Sequence, residues 1–188
     1  FVPLFIRLLA PLPMPPLNAQ DYRHVLENAL CFIVVFALTV YGLGKWVQFD
    51  GATSIDRPVA ELTGMELMWA FYGYSRPFVL LLGALEISAA LLLLFAQTRL
   101  LGCLFASTIL VNIILQDIFY GVNVGALRAA LLYQSILLLL LYWHRERVLG
   151  ALRRLLVPKP LPVHWRRSLV KLLLALGLFA VLRIGEYF

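Results

Sequence analysis

The chain has 188 residues, of which 62% are hydrophobic and only 14% charged, and its mean hydropathy is +0.89. A soluble domain is about one quarter charged and cannot hide so much apolar surface, so lipid must be the solvent for much of this chain. The net charge of +6 does not point to nucleic acid, because the basic excess is gathered in one connector between apolar runs, where membrane topology places it.

Taken in order, residues 1–24 read as an interfacial arm. Five prolines among the first twenty residues rule out a continuous helix, while Leu4, Phe5, Leu8 and Leu9 favour a membrane surface. No secretory n-region with a cleavage site is legible there, and the first residue is Phe1, which leaves the true start open. The first membrane span is expected over residues 25–46, ending in Tyr41, Lys45 and Trp46, residue types suited to an interface. Residues 47–75 form a polar connector. Within it Thr63-Gly64-Met65-Glu66 is a capping-box pattern, which predicts a short amphipathic helix through Tyr72 lying on the bilayer.

Span two is expected over 77–96, opened by Ser75 as N-cap with Pro77 in the first turn. Span three covers 100–120 and span four 125–143. Each is about the twenty residues needed to cross ~30 Å at 1.5 Å per residue. The connections at 97–99 and 121–124 are so short that spans two, three and four must run up and down as antiparallel neighbours. Residues 144–168 follow, with Arg145, Arg147, Arg153, Arg154, Lys159, Arg166 and Arg167 against the single acid Glu146. Val148, Leu149, Leu152, Leu155 and Leu156 share one helical face, so this loop starts as a basic amphipathic helix, which Pro158 and Pro160 then break. A fifth span is expected over 169–188. The expectation is an all-α, polytopic membrane helix bundle with domains at 1–24, 25–145, 146–168 and 169–188. The excess of arginine puts the 144–168 loop, the N-terminus and Arg99 in the cytoplasm.

Ionisable groups inside a bilayer are expensive, so each needs a partner or a purpose. Glu86 falls near the middle of span two, Asn112, Gln116 and Asp117 in the far half of span three, Arg128 one turn into span four and Lys45 near the end of span one. Counting helical rise, Glu86 and Asn112 share a depth, as do Asp117 and Arg128, which predicts an Asp117–Arg128 ion pair. Lys45 reaches Glu86 if the helix packing favours it. Together the six predict a polar pocket opening away from the cytoplasm, suited to a quinone ring, a lipid headgroup or a proton path. The alternative is that Glu86 is protonated and that Asn112 and Gln116 only join helices by hydrogen bonds. The arginines 145, 147, 153, 154, 166 and 167 are candidates for anionic headgroups and for fixing topology. Cys31 and Cys103, near the same ends of their helices, read as inert packing thiols. Arg183 and Glu186 are spaced to pair. His24, His144 and His164 are not at ligand spacing, and no nucleophile–base, phosphate-loop or metal motif occurs, so no catalytic or metal residue is assigned.

At Tyr41-Gly42-Leu43-Gly44-Lys45, Gly83-Ala84-Leu85-Glu86 and Thr98-Arg99-Leu100-Leu101-Gly102 the sequence resembles the DoxX-like family, small bacterial membrane proteins of four helices. Glu66-Leu67-Met68-Trp69-Ala70-Phe71-Tyr72-Gly73-Tyr74-Ser75 and Val111-Asn112-Ile113 are similar to a subgroup of it. The resemblance covers about residues 25–145 and matches Lys45, Glu86 and Arg99 to recurring polar positions of the family. It implies a DoxX-like four-helix core, to which a fifth span is added, and an association with redox chemistry, quinone-linked in some members, or with oxidative-stress enzymes as a membrane partner in others. The function expected is therefore a non-catalytic subunit or anchor in the bacterial inner membrane, with lipids and a protein partner or a second copy around it. The alternative is a lipid- or small-molecule-handling protein using the pocket at Glu86. Ion conduction is disfavoured, because residues 91–95, 101–105 and 136–141 are almost wholly apolar.

Overall fold

The computed structural model describes residues 18–50, 52, 55–156 and 165–185. Among these the chain is helical throughout: α1 (Ala19–Gly44), a 3-10 turn (Val59–Glu61), α2 (Gly64–Tyr74), α3 (Arg76–Leu94), α4 (Arg99–Tyr120), α5 (Val124–Trp143), α6 (Arg145–Leu156) and α7 (Trp165–Gly185). Five helices, α1, α3, α4, α5 and α7, are long and apolar enough to cross a membrane. The prolines before Asn18, Pro158, Pro160, Lys159, His164 and Glu186 lie outside the described residues.

The first helix starts earlier than hydropathy suggests, so residues 19–24 belong to it and not to an arm. The cause is local. The Asn18 side chain accepts from the backbone N–H of Gln20 (2.8 Å) and Asp21 (3.0 Å), and the Asp21 carboxylate accepts from the Asn18 N–H (2.8 Å). This capping box starts the helix one and a half turns before the apolar run begins. The same device works as expected at α2, where Thr63 donates its N–H and hydroxyl to Glu66 (2.9 Å each) and Glu66 returns its N–H to the hydroxyl. Those donors, with Arg57 alongside, hold the Glu66 carboxyl below the usual carboxylate range. Ser75, in contrast, stands at the N-cap of α3 without a side-chain capping bond, and Pro77 alone marks that start. Ser75 is at once the C-cap of α2 and the N-cap of α3. Gly121 ends α4 in the left-handed region (φ 61°), the conformation that lets α5 double back within three residues.

The chain divides into two compact units, one up to Val148 and one from Leu149. In the first, α1 packs on α3, α3 on α4 and α4 on α5, and α5 returns to touch α1, which closes a ring of four antiparallel helices. The short α2 lies against α3 and α4 at the Gly121 end. The core is small and tightly interlocked: Val34, Leu38, Ala89, Leu93, Ala106, Leu110, Leu137 and Leu140 are buried, with Cys31 and Cys103 among them as free thiols. Two glycines set the closest approach. A Cβ on Gly42 would stand 2.8 Å from the Gly83 carbonyl oxygen, and one on Gly83 would stand 2.5 Å from that of Gly42. Such backbone-to-backbone contact is how membrane helices associate where lipid offers no hydrophobic drive. In the second unit, every residue of α7 is exposed.

Candidate functional site

The polar residues expected to share one pocket are split among separate arrangements. At the first, the Gly42–Gly83 contact brings the end of α1 beside α3, and Lys45 Nζ lies 3.4 Å from Glu86 Oε1 with both side chains nearly buried. Lys45 also donates to Gln48 Oε1 (2.7 Å). Glu86 Oε2 is buried and has no hydrogen-bond partner. The adjoining cavity, about 150 Å³, is lined by Lys45, Phe49, Asp50, Ala52, Gly73, Arg76 and Val79, with Asp50 accepting from Arg76 Nη1 (2.7 Å). Glu86 is not part of that lining.

The second arrangement is the amide pair. Gln116 Nε2 donates to the Tyr72 hydroxyl (2.6 Å) and to Asn112 Oδ1, so the amides fasten α2 to α4. Phe49 stacks on Tyr72 at 5.1 Å between ring centroids and meets Trp69 edge-on at 5.0 Å. Burial beneath these rings pushes the Tyr72 phenol up, against the opposing effect of its bond to Gln116. The Gln116–Tyr72 bond joins two helices, whereas the Gln116–Asn112 bond lies within α4.

Asp117 and Arg128 do not pair. Asp117 is 7% exposed with Oδ2 unpartnered, and Arg128 lies on the exposed surface. Equal depth was the ground for expecting the pair, but depth is only one helical coordinate. Each residue also turns about 100° from the last, and that rotation points Asp117 inward and Arg128 outward.

A further charged cluster, at the opposite end of the ring, went unread in the sequence. Arg99, expected as a connector charge, is the first residue of α4 and is buried. Its Nη1 donates to Glu27 Oε1 of α1 (2.8 Å) and its Nη2 to Asn28 Oδ1 (2.8 Å). His144 Nε2, at the end of α5, lies 3.1 Å from the same Glu27 oxygen. Three helices thus meet at one carboxylate. The signal was present: a glutamate and an asparagine two turns inside α1, at the end where the up-and-down order puts the start of α4 and the end of α5. The planar guanidinium suits this position, because it serves two acceptors at once.

The described basic residues of the connector, Arg145, Arg147, Arg153, Arg154, Arg166 and Arg167, are all exposed, and the amphipathic helix predicted there is α6. Among the described residues no group of three or more His, Cys, Asp or Glu could hold a metal ion.

The uncharacterized protein YwoB of Bacillus subtilis (strain 168) is 35% identical to this chain over 134 residues, covering 70% of the chain and 85% of the relative. No family model and no solved structure matches.

Proposed function

The chain belongs to the family of Bacillus subtilis YwoB, and we propose that it serves as a non-catalytic, multi-pass subunit or anchor of a complex in the bacterial inner membrane. One observation carries this reading. The four-helix unit satisfies most of its buried charge internally, and the chain carries in α7 a further 21-residue helix long and apolar enough to cross a membrane. A membrane-length apolar helix of this kind supplies a surface for a membrane partner. A DoxX-like ancestry of the core agrees with this reading, since Lys45, Glu86 and Arg99, the matched positions, are the residues that form the buried ion pairs. A link to quinone chemistry follows from that resemblance alone. The other reading, binding at Glu86, has less behind it: the nearest cavity, about 150 Å³, is below the ~300–1,000 Å³ of ordinary ligand sites.

Photo-crosslinking along α7 of the full chain tests the anchor. With a benzophenone amino acid placed in turn from Leu172 to Phe179, adducts to one defined protein are expected at positions repeating every three or four residues. Adducts to lipid at every position, with none to protein, would remove the basis for an anchor.

We propose an orientation with the N-terminus and the 144–168 loop in the cytoplasm, as the concentration of arginine there requires. A cysteine replacing exposed Arg147 should react with an impermeant maleimide only after cells are opened, and one replacing Val59, 70% exposed, should react in intact cells. The reverse pattern would invert the topology. The native Cys31 and Cys103 are fully buried and give little background.

A further inference from the structure

A cleft in the first unit, outside every arrangement described above, lies at its Arg99 end. It measures about 610 Å³ and is lined by Tyr22, Arg23 and Leu26 of α1, Trp143 at the end of α5, and Arg145 and Glu146 at the start of α6. We propose that this cleft binds the phosphate of an anionic phospholipid headgroup, held between Arg23 and Arg145. The proposal rests on the membrane reading of the chain and not on the anchor role.

Charge comes first. The Arg23 guanidinium donates one bond, from Nη2 to the Trp143 carbonyl (3.3 Å), and lies 5.9 Å from the centre of the Trp143 ring. Its remaining N–H groups have no partner among the described residues. Arg145 lies 4.9 Å from the Tyr142 ring, and its contact with Glu146 is long at 3.8 Å between side chains 55% and 88% exposed. An ion pair so open to water contributes little, so Glu146 does not occupy the guanidinium. Glu27, one turn further along α1 from Arg23, is bonded to Arg99, and the Asp21 carboxylate is held by the Asn18 N–H. Two planar guanidinium forks in one lining, one from α1 and one from α6 and each beside an aromatic ring, suit the tetrahedral oxygens of a phosphate.

Depth and walls point to a lipid source. At 1.5 Å per residue the 26 residues of α1 span roughly 39 Å, about 9 Å more than a ~30 Å hydrocarbon core. Its first turns therefore project to the headgroup level. Tyr22 and Trp143 are the residue types that settle there, with a ring toward acyl chains and a polar tip toward water. Leu26, one turn deeper, is 50% exposed and offers an apolar wall to the start of an acyl chain. A cleft of this volume falls in the ordinary range for ligand sites.

The test uses the purified full chain in detergent with added lipid, read by native mass spectrometry. Phosphatidylglycerol is expected to be retained about tenfold more than phosphatidylcholine, a preference of about 1.4 kcal/mol. Arg145→Gln, at an exposed residue that supports no buried contact, should abolish the preference, and Arg23→Gln should do the same. Arg57→Gln, which lowers the positive charge by the same amount at an exposed residue beside α2, at the other end of the unit, should leave it intact. Equal retention of the two lipids by the native chain, or an unchanged preference in Arg145→Gln, would overturn the site. Displacement of phosphatidylglycerol by an equal concentration of inorganic phosphate would overturn the lipid source and assign the cleft to a soluble phosphate. Flotation of the same variants with vesicles separates these outcomes from failure of the membrane reading, in which the native chain itself would not float.

Discussion

Replacing Arg99 by methionine is expected to lower the stability of the four-helix unit by about 3–5 kcal/mol, seen as a large drop in Tm in detergent. Arg99 is 8% exposed and Glu27 5%. Removing the guanidinium leaves the carboxylate buried with His144 as its only other side-chain hydrogen-bond partner among the described residues, and also strips Asn28 of its donor. The loss comes mainly from stranding a charge away from water, because the net worth of the pair itself is small once desolvation is counted. Two further variants separate these contributions. Arg99→Met combined with Glu27→Leu removes both charges and should recover much of the stability. Arg99→Lys keeps the charge but presents one ammonium to two acceptors, so it should fall between the native chain and the methionine variant. If Arg99→Met melts like the native chain, the cluster does not join α1, α4 and α5.

The second large effect is expected at the glycine contact. Gly83→Ala should destabilise by about 1–3 kcal/mol, although alanine is the better helix former by roughly 1 kcal/mol. The added Cβ would stand 2.5 Å from the backbone oxygen of Gly42 and 3.0 Å from Lys45 Cβ, and a backbone carbonyl in a helix cannot swing aside. α1 and α3 must therefore separate, which also lengthens the Lys45–Glu86 pair. Gly177→Ala in α7 is the matched control. No atom lies within 4 Å of its Cβ position, so helix propensity alone acts and the change should be neutral or slightly stabilising. Thermal unfolding of the two variants side by side checks this; equal behaviour would mean that α1 and α3 do not pack through these glycines.

The sequence also shows how far one-dimensional reasoning carries in a membrane chain. The number of apolar spans, their approximate limits, the Thr63–Glu66 cap, the basic amphipathic helix and the up-and-down course of α3, α4 and α5 follow from hydropathy, capping chemistry and connection length. These signals are local: each needs only neighbours within a few turns. The start of α1 was misplaced because the apolar run was given more weight than the Asn18–Asp21 cap, which is equally local and was legible.

The polar residues divide along the same line. That Lys45, Glu86, Asn112, Gln116 and Asp117 require partners is a property of their chemistry in hydrocarbon, and the sequence alone establishes it. Which partner each one takes depends on how every helix is rotated about its axis. That rotation is set by packing, here the Gly42–Gly83 contact and the interlocked small core, which bring Lys45 to Glu86, Gln116 to Tyr72 and Arg99 to Glu27, and turn Asp117 away from Arg128. Composition and order along the chain determined that this protein is a bundle of membrane-length helices with charges to hide. Only the tertiary arrangement decided where those charges meet, because facing partners lie up to 117 residues apart and no local pattern encodes the angle between two helices.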